Sequence, residues 1–253
     1  MADQLGFDAA QDCSGILDKA QIVGVGWIGR YYSYNHAKNL QASEAAAILA
    51  AGFNIVSIWE ARGNLYSSFT EANGLREAAA ALDQAQSLGQ PAGTCIYFAV
   101  DFDASRAQIA MAITLYFKAV NEVLAGHYLV GVYGSGLVCG SLADAGLAKF
   151  AWLAGATGWQ GAQDFPRWNI RQGTEGDPWG FGFSIDTDNS AGENYGGWHE
   201  PEFPAKPLPP IEQILAAPNF YDAVADFQRA NGLTPDRSIG PITLRKLLEL
   251  EKA

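Results

Sequence analysis

Ile96-Tyr97-Phe98-Ala99-Val100-Asp101-Phe102-Asp103 is a β-rich run that ends in two acids. Ser105 and Gln108 follow at capping-box spacing, and Ile109, Ile113, Tyr116, Phe117, Val120 and Leu124 then recur at helical spacing before Gly126. A strand, two carboxylates at its C-terminal end and an amphipathic helix make one β/α unit. The alternation repeats in both directions. Strands are expected at residues 5–9, 22–32, 54–60, 94–101, 129–133, 151–154, 168–172 and 183–186. Helices fall between most of them; Ser43 can cap residues 44–51 and Gly52 can close that helix. This many strands with intervening helices over residues 1–198 predict an α/β fold, a (β/α)8 TIM-type barrel, rather than an open doubly wound sheet. The glycine-rich dinucleotide fingerprint is missing, and no cofactor is expected.

Acids recur at the strand ends. Asp8 ends the first expected strand, Glu60 the third, Asp101 the fourth with Asp103 two later, and Asp186 the eighth with Asp188 two later. Strand side chains alternate faces, so Asp101 and Asp103 share a side. If Asp101 faces the barrel axis, Tyr97 and Ala99 do too, and the same parity turns Gly6, Gly131 and Ser184 inward with Asp8, Tyr133 and Asp186. Small inward residues under a polar rim would leave room for a pocket at the C-terminal mouth, where active sites of this fold sit. Any one such acid can instead cap a helix or turn a loop, Asp103 in particular. Together they repel, and repulsion raises a pKa so that a proton remains available near neutral pH. That is the requirement of glycoside hydrolysis: an acid for the leaving oxygen and a carboxylate for developing positive charge. Asp101 and Asp103 are the expected central pair, with Asp101 stabilising charge or orienting a neighbour and Asp103 donating the proton. Glu60 reaches the same space with a longer side chain. Asp8, Arg30, Tyr133, Trp152, Gln172, Asp186 and Asp188 are the expected substrate contacts, whereas Trp59 should face opposite to Glu60, toward the helices.

No metal is expected, although Asp101, Asp103, Asp186 and Asp188 could hold a hard cation. His36, His127 and His199 have no spaced partners, and Cys13, Cys95 and Cys139 are too scattered for a disulfide framework or a zinc site. They read as buried thiols. Ser135 in Tyr133-Gly134-Ser135-Gly136 lacks the spacing of a nucleophile elbow and reads as a helix cap. A formal net charge of -11 gives nucleic acid no basic footprint and disfavours an anionic membrane surface. No apolar run approaches the roughly 20 residues of a membrane span. The N-terminus has neither the basic nor the apolar region of a secretory signal. Either the chain stays in the cytoplasm, or it is delivered to the cell wall or periplasm by phage lysis or another signal-independent route, or a signal has been trimmed.

Residues 199–210 hold five of the eleven prolines and read as a semi-rigid linker. All seven tryptophans precede it; residues 211–253 follow as a small helical tail. In that tail an amphipathic helix ends at Gly232, and a second starts at Pro241-Ile242-Thr243.

The body resembles a bacterial glycoside-hydrolase-like domain family of unknown function. The matching pieces are Gly6-Phe7-Asp8, Gly29-Arg30-Tyr31-Tyr32, Ile58-Trp59-Glu60, residues 96–103, Gly131-Val132-Tyr133-Gly134-Ser135, Trp152-Leu153-Ala154 and Ile185-Asp186-Thr187-Asp188. That family is similar in turn to the family-25 lysozymes, barrels that cleave peptidoglycan glycan strands. Their fourth strand ends in Asp-x-Glu with the Glu as general acid; here the place reads Asp101-Phe102-Asp103, one methylene shorter. Asp8 and Asp186 match the first-strand and last-strand acids of that pattern. The tail resembles a three-helix peptidoglycan-binding domain through residues 223–236 and Ile239-Gly240-Pro241-Ile242-Thr243, with Arg237 standing where that family has Gly. The resemblance implies a muramidase-type hydrolase acting on peptidoglycan or a related glycan and held on the wall by its tail. A barrel that binds glycan without cutting it, and a different hydrolase on the same scaffold, are the rivals.

Removal of residues 199–253 is expected to leave a folded barrel that treats small soluble glycans normally but sediments less with insoluble wall. Failure of the truncated body to fold, read by circular dichroism, would contradict the two-domain reading.

Overall fold

The computed structural model describes residues 3–162, 164–201, 220–235, 237, 239 and 243. Eight strands close into a barrel in sequence order: β1 (Gln4–Ala9), β2 (Trp27–Tyr32), β3 (Asn54–Trp59), β4 (Cys95–Ala99), β5 (Leu129–Gly134), β6 (Phe150–Leu153), β7 (Ile170–Gly176) and β8 (Ile185–Ser190). Helices α1 (Leu17–Val23), α2 (Ala42–Ala50) and α3 (Glu71–Ser87) follow the first three strands. After β4 come α4 (Arg106–Gln108), a π-turn at Ile109–Ile113 and α5 (Thr114–Leu124); α6 (Gly136–Asp144) follows β5. Among the described residues no helix separates β6 from β7.

The last strand departs from the expected topology. Strands β1 to β7 run parallel to their neighbours, but β8 is antiparallel to both β7 and β1. Residues 177–184 are the cause. A parallel crossover needs a dozen or more residues, and eight allow only a hairpin. Asp177 closes it by accepting the backbone N–H groups of Phe181 at 2.6 Å and Gly182 at 2.9 Å. Asp186 therefore lies near the start of β8, not at its end. The strand's N-terminal end faces the mouth.

Two other expectations shift. Residues 22 and 23, expected in a strand, end α1; Ile22 is 87% exposed and Gly24 caps the helix at φ 86°. Helix α2 already starts at Ala42, so Ser43 lies inside it rather than capping it, and its N-cap Gln41 makes no side-chain cap; Glu44 in the first turn points inward to Arg30. The expected capping box at Ser105 and Gln108 and the Ser135 cap on α6 both form.

Inside the barrel the expected room is filled. Trp27, Val56, Ile58, Cys95, Tyr97, Phe150, Trp152, Ile170 and Tyr195 pack together along the axis. The small inward residues make way for large rings. A Cβ on Gly6 would sit 2.1 Å from the Trp27 indole, and one on Gly131 2.6 Å from the Tyr97 ring. Trp27 is itself fixed by Trp152 and Tyr195, at ring-centroid distances of 5.8 and 5.5 Å. A second apolar layer between sheet and helices holds Cys13 and Cys139, Cys95 belongs to the axial cluster, and all three are buried free thiols. At the N-terminal end Trp198 pairs its backbone with Ile55 and donates Nε1–H to Ser57 Oγ at 3.1 Å.

The chain divides into two units, Met1–Glu202 and Phe203–Ala253. Most of the proline-rich segment and of the tail lies outside the described residues. In the second unit α7 (Phe220–Ala230) buries Val224, Ala225 and Phe227 on one face. Gly232 at φ 65° ends it, with Leu233 N–H bonded to Gln228 O at 2.8 Å. Arg237 adopts φ 62°, the left-handed region a glycine would occupy without strain.

Gly6→Ala is expected to destabilise the barrel by roughly 2 kcal/mol or more, because the methyl group meets an indole that has nowhere to go. Urea unfolding measures it; a variant within 0.5 kcal/mol of wild type would contradict the packed-axis description.

Candidate functional site

The inward parity expected from the sequence places Asp8, Glu60, Asp101, Asp186 and Asp188 around the mouth. Asp8 lies opposite Asp186 in the antiparallel register, and Asp188 opposite Gly6, one pleat deeper. Gly29 on β2 makes the depth possible. A Cβ there would fall 2.7 Å from Asp8 Cβ and 2.9 Å from the Trp152 indole, so its absence lets both approach. The indole then donates Nε1–H to Asp188 Oδ1 at 2.9 Å.

Asp8 and Asp188 form a buried pair. Asp188 is fully buried, and its Oδ2 has no donor. Desolvation pushes its pKa well above the usual aspartate range, and the charge of Asp8 pushes it further. Asp8 is also raised by burial, but it accepts Tyr31 O–H at 2.6 Å and Gln172 Nε2–H at 3.1 Å, and both favour its ionised form. Burial thus pushes both carboxyls toward their protonated forms, while the donors on Asp8 favour charge there rather than on Asp188. Gln172 is held in turn, because its Oε1 accepts Tyr133 O–H at 2.8 Å and Gly155 N–H at 3.1 Å.

Above this pair two half-buried acids face the opening. Asp101 is pushed up to about 6 by desolvation and by Glu60, against the opposing pull of Lys38. Asp186 is pushed up to about 7 by desolvation, then by Asp8, Glu175 and Asp101. Glu60 is ion-paired with Lys38 at 2.5 Å, and that ammonium also lies 4.5 Å above the centre of the Tyr31 ring. Among the described residues no three or more acids, histidines or cysteines are arranged to hold a metal ion.

Several expected site residues lie elsewhere. Asp103 is exposed past the end of β4 and accepts Gln160 N–H at 2.9 Å, while the charges acting on Asp101 are Glu60, Lys38 and Asp8. The strand stops at Ala99 and the chain bends at Phe102, so two-residue parity no longer applies at Asp103. Arg30 faces the helices, 1% exposed, in a bidentate pair with Glu44 (2.6 and 3.0 Å) and bonded to Ala9 O. Its role there is to tie β2 to α2. Trp152 is fully buried and supports Asp188 from below rather than offering a face at the mouth. Trp59 turns to the helices as expected, donating Nε1–H to Glu77 at 2.9 Å. Sequence reasoning missed Tyr31 and Lys38. Tyr31 shares the inward parity of Gly29 and could have been found that way; Lys38 comes from the loop after β2 and left no signal.

A closed eight-stranded barrel with carboxylates crowded at its mouth is the architecture of a glycoside-hydrolase-like domain. Residues 20–195 match the Rv2525c-like, glycoside hydrolase-like domain family, and the chain belongs to that family. It is 35% identical over 168 residues to the uncharacterized protein YbfG of Bacillus subtilis (strain 168), 60% of this chain and 23% of that one. The chain thus spans about a quarter of the length of the curated relatives it matches. The barrel superposes on the Mycobacterium tuberculosis Tat-secreted protein Rv2525c with a TM-score of 0.66 at 22% identity, covering 78% of this chain and 98% of that one. A family GH25 lysozyme from Aspergillus fumigatus shares the fold with a TM-score of 0.50 at 14% identity, covering 76% and 96%.

Asp188→Asn should reproduce the protonated state, with the amide oxygen accepting from Trp152 and the amide N–H donating to Asp8. It is expected to fold with near wild-type stability at pH 7, whereas Asp188→Leu strands the indole N–H and should lose about 1–3 kcal/mol. Equal losses in thermal unfolding would refute the shared proton. Asp186 gives a second check. A carboxyl whose pKa is raised on folding contributes stability fully present below the unfolded value of about 4 and lost as pH rises through the folded one. The stability of wild type relative to Asp186→Asn should therefore decline between pH 4 and about 7. A difference that rises across that window contradicts the assignment.

Proposed function

We propose that the barrel hydrolyses glycosidic bonds in the glycan strands of bacterial peptidoglycan, in the manner of a muramidase, outside the cytoplasm at the cell wall. The observation that carries this reading is the crowding, at one mouth, of the half-buried acid Asp101, pushed up to about 6, and of Asp8, whose hydrogen bonds from Tyr31 and Gln172 favour its charged form. Asp101 protonates the leaving oxygen. Asp8, fixed by Tyr31 and Gln172, faces the positive charge that develops on the sugar. Asp186 is a second group able to carry a proton, and Glu60 with Lys38 holds the electrostatic balance on the β3 side. Asp103 is left the lesser role of positioning the loop that carries Gln160. The tail acts as a wall-binding module that raises local substrate concentration without altering the chemistry. Family membership and the lysozyme-like fold support the hydrolase class. Among the described residues no helix is long and apolar enough to cross a membrane.

A second reading, glycan binding without cleavage, is favoured by one observation. The carboxylate nearest the lysozyme acid in sequence, Asp103, is engaged by Gln160.

Incubation with purified peptidoglycan, with mass spectrometry of the fragments, separates the readings. New reducing ends support hydrolysis; intact glycan that carries the protein into the pellet supports binding alone; cut peptides indicate another hydrolase. If cleavage occurs, Asp101→Asn and Asp8→Asn should each lower the rate by roughly 10²–10⁴, with Asp103→Asn within a few-fold of wild type. The rate should fall as pH rises above about 6, where Asp101 loses its proton. An Asp101→Asn variant that cleaves normally would refute the assignment.

A further inference from the structure

Beside the mouth lies a cavity of about 810 Å³, walled on one side by the Lys38–Glu60 ion pair and on the other by the loop after β3 and the first turns of α3. We propose that this cavity is an anion subsite, taking a carboxylate borne on a branch of the bound glycan, with Arg62 and Arg76 as its recognition groups. The proposal deepens the glycan-strand reading and rests on the mouth receiving the strand itself.

The chain carries a formal net charge of -11 and lines its mouth with acids, yet Lys38, Arg62 and Arg76 all face this one cavity. Its two acids are engaged: Glu60 by Lys38, and Glu77 by Trp59 Nε1–H at 2.9 Å and Tyr116 O–H at 2.8 Å. Among the described residues no carboxylate pairs with Arg62 or Arg76. Thr70 caps α3 by accepting Asn73 N–H at 3.2 Å, Asn73 donates Nδ2–H to Ser68 O at 2.7 Å, and its Oδ1 accepts Arg76 Nη2–H at 2.9 Å. That relay turns the Arg76 guanidinium toward the cavity and leaves donors for a planar oxyanion, which guanidinium engages two bonds at a time. Tyr34, 49% exposed and edge-on to Trp59 at 5.1 Å, offers an aromatic face among the lining residues for the sugar that carries the branch.

In an acidic protein this local attraction has a consequence for register. An anionic strand is repelled by the surface as a whole and drawn in only where its branch meets the two guanidiniums. The branch in the side cavity then determines which glycosidic bond lies over Asp101.

Binding tests this without requiring turnover. The full chain carrying Asp101→Asn is titrated with soluble peptidoglycan fragments bearing free stem-peptide carboxylates, and with the same fragments after conversion of those carboxylates to amides. The acid form should bind about tenfold more tightly, and that preference should fade as salt is raised from about 50 to 500 mM. Adding Arg62→Gln and Arg76→Gln should abolish it, while Arg62→Lys and Arg76→Lys should keep part of it. Equal affinity for the two forms, a preference that survives the glutamine pair, or binding to neither form would overturn the proposal. Reducing-end release by the wild type is scored separately. A preference without cleavage leaves the subsite standing and removes the hydrolase reading; cleavage without preference does the reverse.

Discussion

Two aspartates that cannot both be charged govern this molecule. Asp8 and Asp188 are buried side by side over a floor of indole and phenol rings, and desolvation there raises both carboxyls and disfavours a second negative charge. The surrounding donors decide which. Tyr31 and Gln172 stabilise charge on Asp8, while Asp188 has a single donor, Trp152, and an oxygen free to carry the proton. The fixed charge on Asp8 then acts on the rim. It contributes to the upward shifts of Asp186 and Asp101, the two acids that face the opening.

The barrel is built to hold that pair. Gly6 and Gly29 give the space into which Trp27 and Trp152 fit, and the filled axis keeps the carboxylates on a rigid, apolar base. The antiparallel β8 matters as much. It brings Asp186 level with Asp8 and sends Asp188 one pleat down to meet the Trp152 indole. With a parallel β8 ending at Asp186, Asp188 would lie past the rim, and the buried partner of Asp8 would be missing. The departure from the regular β/α alternation is thus what creates the coupled pair.

Much of this was legible in the sequence, and the failures have physical causes. The acid-terminated strands and their inward parity could be read because the period of two persists as long as a strand does. Asp8, Glu60 and Asp101 consequently fell where parity placed them. Asp103 did not, because β4 ends at Ala99 and the bend at Phe102 breaks the period. Arg30 and Trp152 looked like binding residues by type, but a buried ion pair and a buried indole satisfy them inside the fold. The direction of β8 was readable from length alone, since residues 177–184 with Pro178, Gly180 and Gly182 are too few for a crossover and suit a hairpin. The small inward residues misled because a glycine in a barrel strand signals close approach, and here what approaches is a tryptophan. In the tail, Arg237 holds the left-handed backbone that explains why a glycine suits that position.

Acid catalysis at this mouth requires protons retained near neutral pH by crowding and burial. Carbon-detected nuclear magnetic resonance of the aspartate side-chain carboxyls, followed from pH 3 to 9, observes them directly. Asp188 should titrate well above the usual aspartate range, with Asp101 and Asp186 titrating near 6 and 7. Titration of all three below pH 5, in the usual aspartate range, would contradict the shared proton and remove the physical basis for acid catalysis at this mouth.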